Sequence, residues 1–190
     1  HTYGSKEIMS SLRNLYRNQV LTSLRSELKA MGFTSSGRVF RRSVGEVIHF
    51  IGLESWPNFG PDAYRFTLEI AIHAEALVEH SPRYFFGEVE CGSAPLNIRV
   101  GWLSDHQCDH WWTVTSAAEC DKAIKEVADV LRVWVLPYLD AIVSKSDLAR
   151  VLRNRIIGFG WPAHITSWAA DILDGQDAPP MPPIPQNLGA

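Results

Sequence analysis

Hydrophobic positions follow two different periods along the chain. From about residue 5 to 31, Ile8, Leu12, Leu15, Tyr16, Val20, Leu24, Leu28 and Met31 recur at spacings of three and four. Arg13, Arg17, Arg25, Glu27 and Lys29 fill the gaps. That spacing predicts one long amphipathic helix, and Gly32 stands where a left-handed residue would end it. After Phe33 the period changes. Residues 38–42 and 46–54 are rich in β-branched and aromatic side chains around Ser43-Val44-Gly45, the pattern of a tight hairpin. After a turn-rich loop over 55–61, Tyr64, Phe66, Leu68, Ile70, Ile72 and Ala74 alternate with Arg65, Thr67, Glu69, Ala71, His73 and Glu75. This predicts a central strand with one buried and one polar face.

Beyond residue 75 the signals are more mixed. Residues 76–80 fit a helical turn, Tyr84-Phe85-Phe86 a short strand or flap, and 91–95 a loop. Leu96, Ile98, Val100 and Trp102 alternate again with Asn97, Arg99 and Gly101, predicting a strand over 96–103, and Trp111-Trp112-Thr113-Val114 a short last one. Ser116 and Glu119 have capping-box spacing, and Ile124, Val127, Leu131, Trp134 and Tyr138 continue a helical stripe that Pro137 should kink. Ser146-Asp147 is placed to cap a helix to about 157; Gly158-Phe159-Gly160 should break it, and Pro162 should open a last helix reaching Leu173. From Gly175 the chain is proline-rich, which predicts an extended tail. The expected fold is α+β: a curved antiparallel sheet of about four to six strands, packed by the N-terminal helix and the helix after Ser116. Residues 1–157 form its single domain, 158–175 a helical extension and 176–190 the tail.

Composition narrows the classes. At 190 residues, 46% hydrophobic and 21% charged, the chain suits one globular domain. A net charge of −3 and a pI near 6.2 argue against a phosphate-backbone partner, so no nucleic acid is expected. Three widely spaced cysteines make no disulfide framework, which favours a reducing, cytoplasmic setting of bacterial type. No apolar run of about 18 residues or signal-peptide core is present, so no membrane association is expected.

Five segments, in this order, resemble the family known as domain of unknown function 4304. They are Gly32-Phe33 through Gly37 to Phe40-Arg41; Val47-Ile48-His49-Phe50; Phe66-Thr67-Leu68-Glu69-Ile70; Ile98-Arg99; and Trp111-Trp112 with the helix ending Leu136-Pro137-Tyr138-Leu139. The resemblance spans about residues 8–150. It implies an α+β fold and a family with no established activity, and so transfers no catalytic residue. The chain departs from the pattern at Ile51, usually glutamine, and at Glu69, usually asparagine.

Three constellations carry chemical potential. His106, Cys108 and His110 would share one face of an extended segment and are of zinc-ligand type, yet their spacing fits no standard site and a solvated loop explains them equally. Glu69 and His73, with Arg41, His49 and Arg99 on neighbouring strands, would supply acid–base or anion-binding groups, although Glu69 and His73 are roughly 13 Å apart along one strand. Cross-strand charge pairing is the plainer account of that row. Loop aromatics, Trp56, Phe59, Tyr84, Phe85, Phe86, Trp111 and Trp112, suit an interaction surface, and Arg65, in the strand row of Glu69 and His73, is a further candidate binding residue. No nucleotide-binding loop or serine elbow occurs, and no cofactor is expected. The expectation is a non-enzymatic module that binds another protein or a ligand, an immunity-like protein being one form and a homodimer another. The alternative is a small hydrolase, metal-dependent or acid–base, using the polar sheet face or the 105–110 loop.

Overall fold

A computed structural model describes residues 3–56, 63–80, 94–154 and 163–175. Helix α1 (Tyr3–Ala30) ends as its glycine requires: Gly32 takes φ 83°, and the Phe33 N–H returns to the Leu28 carbonyl at 3.0 Å. Tyr16, Val20, Leu21, Leu24 and Leu28 form its buried stripe. Leu12 and Leu15 do not join it and stay 38% and 49% exposed.

Among the described residues the sheet has six strands. In chain order they are β1 (Thr34–Ser36), β2 (Val39–Val44), β3 (Val47–Ser55), β4 (Tyr64–His73), β5 (Leu96–Arg99) and β6 (Trp112–Val114). Neighbours run antiparallel in the order β1-β2-β3-β4-β5, and β6 also pairs with β4. β5 lies against Glu69–Ile72 and β6 against Tyr64–Phe66, so the two share one edge of β4. Between them the chain leaves the sheet. A tight turn at Val100–Trp102 replaces the end of the strand expected to reach residue 103. Gly101 there is buried against the backbone of Cys108 and His110, a contact with no room for a side chain. β1 was not foreseen: its three exposed residues carry no alternation.

On one face of the sheet, Phe40, Ile51, Leu53, Tyr64, Phe66, Leu68, Ile70, Ile72, Ile98 and Trp112 meet the helices in one core. Helix α2 (Glu75–His80) follows β4, and α3 (Ala117–Val130) follows β6. Tyr16 meets Cys120 and Glu27 meets Arg132, so α1 and α3 run parallel. Ser116 caps α3 by accepting from the Glu119 N–H, while the Glu119 carboxylate takes the Thr115 N–H and hydroxyl. Before Pro137 the helix widens into a π stretch, Leu131–Val135, and closes as α4 (Leu136–Asp140). Proline has no N–H to return to the carbonyl four residues back, and the wider turn absorbs that loss. Helix α5 (Lys145–Arg153) starts on a capping box of Ser144 and Asp147, two residues before the expected cap. Helix α6 (Ala163–Leu173) packs on α5 and α2, and Trp168, Ala169, Ile172 and Leu173 enter the same core. The expectations at Tyr84–Phe86, Gly158–Gly160, Pro162 and the proline tail lie outside the described residues.

Candidate functional site on the outer face of the sheet

The face of β4 opposite the core was expected to be polar, and its His73 end is buried instead. Ile48, Phe50, Ala71 and Ala94 form a separate buried cluster there, and His73 beside them is 0% exposed. Burial is the main reason that the His73 imidazole titrates low, at about 4, with the Arg41 charge adding to it. Arg41 itself is exposed and holds its guanidinium 5.9 Å from the Phe50 ring.

His49 does not join this face. It pairs with Ile72, whereas His73 pairs with Ile48, so the two histidines point to opposite sides of the sheet. The expectation that neighbouring strands bring His49 to Glu69 and His73 is therefore corrected. His49 alternates with Val47, Ile51 and Leu53, and that parity placed it on the core side.

The other half of the face is a linked network of charge and aromatic rings. The register sets Gly52, Glu69 and Arg99 side by side across β3, β4 and β5. Glu69 accepts from the Asn97 amide next to it. Arg99 reaches diagonally over β4 and forks onto Glu54, Nε to Oε2 at 3.1 Å and Nη2 to Oε1 at 3.0 Å. Its Nη1 also donates to Asp109 at 2.9 Å. The same Asp109 oxygen accepts from Trp111 Nε1 at 3.0 Å. The guanidiniums of Arg99 and Arg65 lie 5.0 and 5.3 Å from the Trp111 ring centroid, within cation–π range. Trp56 meets Trp111 edge-on, 5.6 Å between centroids at 84°, and remains 49% exposed. The two carboxylates hold the Arg99 proton more firmly, against the opposing effect of burial.

The tryptophan pair divides between the faces. Trp112 is a core residue, stacked on Phe66 at 5.4 Å, with its Nε1 donating to Glu126. Trp111 faces outward into the network. Glu54 and Asn97 were not singled out and Asp109 was read only as part of the 105–110 cluster, because their pairing with Arg99 and Glu69 arises only when the strands and the excursion between β5 and β6 come together. Parity alone would have placed Glu54 with Phe50 and Gly52.

The 105–110 segment forms the excursion between β5 and β6. Its inner end is tied down by Thr67, whose hydroxyl donates to the His110 carbonyl at 2.8 Å. The His106 and His110 rings stack in parallel, 4.1 Å apart with an interplanar angle of 2°. The two rings lie face to face, and Cys108 is exposed. Among the described residues no three His, Cys, Asp or Glu side chains converge as a metal would need. A shallow groove of about 580 Å³ lies elsewhere, between α1 and α3, lined by Leu15, Gln19, Glu27, Asp121 and Ile124 among others. It gathers no reactive group.

The sequence pattern described as Domain of unknown function (DUF4304) matches residues 24–141, more than half the chain. The chain belongs to the DUF4304 family. The DUF4304 match takes in every strand, the Arg99–Trp111 network, and the helix from α3 through α4. Most of α1, with α5 and α6, lies outside it. No curated protein and no solved structure matches the chain. Among the described residues no helix is long and apolar enough to cross a membrane.

Proposed function

We propose that this domain is a non-enzymatic binding module that engages another protein through the Trp56–Trp111 end of the outer face. The observation that carries the reading is the held, half-exposed tryptophan pair under two guanidiniums. Tryptophan and arginine are the residue types that dominate binding hot spots, and rings already fixed in place lose little freedom on association. The carboxylates of Glu54 and Asp109 pre-orient Arg99, so its charge is compensated before a partner arrives. An immunity-like role, in which the partner is a toxic protein, is the concrete form we favour. A hydrolase finds less support, since Glu69 has an amide partner, His73 is enclosed and His49 lies on the opposite face.

The test is affinity capture from the native host using wild-type protein, Trp56→Ala, Trp111→Ala and a control at Arg132, which pairs with Glu27 on the helical side. A partner held by wild type and control but lost by both tryptophan variants supports the reading. A partner held equally by all four overturns it.

A further inference from the structure

Where β3 ends and β4 begins, on the helix side of the sheet, three arginines gather from two elements. Arg13 and Arg17 stand one turn apart on α1, and Arg38 leads into β2. Arg13 Nη2 donates to the Trp56 carbonyl at 3.2 Å, and Arg38 Nη1 to Ser55 Oγ at 3.1 Å. The Arg38 carbonyl in turn accepts from the Leu53 N–H at 2.9 Å, which fixes the base of its side chain. Beside them Tyr64, the first residue of β4, is 0% exposed, and its hydroxyl has no hydrogen-bond partner. Burial pushes that phenol up to about 12 and keeps it protonated, while the charges of Arg17, Arg38 and Arg13 pull the other way. Neither Arg17 nor Arg38 takes part in an ion pair among the described residues.

Arginine stems laid over a core edge would explain where these side chains run. They would not explain why two of the charges go without a carboxylate in a chain with more acids than bases. Nor would they explain a buried hydroxyl left unsatisfied, which is rare and costly in a folded protein.

We propose that this corner is an oxyanion-binding site for a ligand bearing a phosphate-type group. Arg17 and Arg38 grip the anion from the surface, and the Tyr64 hydroxyl donates from beneath once the arginines turn onto the ligand. Guanidinium suits this chemistry because its planar fork matches two oxygens of a tetrahedral anion. The site is distinct from the Trp56–Trp111 surface: the two meet only where Arg13 donates to the Trp56 backbone carbonyl, which replacement of the ring leaves in place.

The experiment is titration of the full-length chain with inorganic phosphate, followed by calorimetry and thermal shift against chloride at matched ionic strength. Saturable binding below about 10 mM is expected, with Arg17→Gln and Arg38→Gln each weakening it about tenfold. Tyr64→Phe should keep the fold, because it removes a hydroxyl with no partner, and still bind phosphate more weakly than wild type. Arg132→Gln should change nothing. Absence of saturable binding, or binding that Arg17→Gln and Arg38→Gln leave unmoved, overturns the proposal. Phosphoserine and a nucleoside monophosphate, titrated in parallel, identify the carrier: the tighter of the two names its class, and equality with phosphate names the bare group.

Discussion

Arg42 Nη2 lies 3.1 Å from His49 Nδ1, and a guanidinium can only donate. The ring must therefore accept at Nδ1 and carry its proton on Nε2, which donates to the Ile142 carbonyl at 2.8 Å. The same arginine bonds Asp140 at 2.6 Å and the Met31 carbonyl at 3.3 Å, and covers the Phe33 ring at 4.7 Å. One buried imidazole and one arginine thus tie together the end of α1, the β2–β3 hairpin and the end of α4. Replacing His49 with alanine should lower unfolding free energy by about 2–4 kcal/mol, because it opens a cavity and strands the Ile142 carbonyl. Urea unfolding, with the native spectrum as a check on fold, measures it.

Acid should loosen the protein before the carboxylates titrate. Burial lowers the pKa of His49, and the neighbouring Arg42 charge does so further. His73 falls to about 4, and His110 is lowered as well, mainly by burial. Each ring is neutral in the fold but takes a proton below its ordinary value of 6.5 once unfolded, so the unfolded state binds more protons in between. The His73 contribution is intact above about pH 6.5 and declines as pH falls toward 4, and His49 and His110 act in the same direction. For fully buried His73 the gap corresponds to about 3 kcal/mol. Denaturant midpoints from pH 7.5 to 4.5 should show the decline, and His73→Leu should flatten it. A slope that the variant leaves unchanged counts against this assignment.

Two glycines with the same backbone angle should respond differently to alanine. Gly37 and Gly45 have φ of 58° and 56°, so both suffer the left-handed penalty of about 1 kcal/mol. A Cβ on Gly37 meets nothing, whereas one on Gly45 runs into the Val143 carbonyl. That carbonyl is held in place by accepting from the Glu46 N–H at 3.0 Å. Gly45→Ala should therefore cost about 3 kcal/mol or more, against about 1 for Gly37→Ala. Thermal or urea unfolding of the pair isolates the clash from the backbone strain.

Cys108 is exposed and Cys120 is buried, its thiol pushed up chiefly by that burial. In a Cys91→Ser background, Ellman's reagent should titrate one thiol in the native protein and a second only in denaturant. Rapid native reaction of both would contradict the packing of Cys120 between α1 and α3.

Much of the architecture was legible from local pattern. The Gly32 stop, the hairpin around residue 45, the alternation of β4 and the cap at Ser116 are signals carried by a few consecutive residues. What was missed depends on distant chain. The parity that put His73 on the outer row could not say that Ile48, Phe50 and Ala94 would enclose it. The truncation of β5 at Arg99 arises because Gly101 abuts Cys108 and His110, a contact made only after the excursion folds back. The Arg99 network was half visible: Arg99 and Trp111 were singled out, but Glu54 becomes a partner only through the sheet register and Asp109 only when the excursion folds back. Tyr64 was assigned to the core, and nothing in the sequence marks its hydroxyl as unsatisfied.

The single edge of β4 that carries both β5 and β6 has a consequence for the segment between them. Because both ends of the excursion are anchored on the same strand, its length can change without shifting the sheet's register. Residues 100–111 thus form a cassette in the frame, supplying Asp109 and Trp111 to the outer face while the strand pairs on either side stay fixed. Substitutions within that segment can therefore change what the outer face presents while the pairings of β5 and β6 with β4 stay as they are.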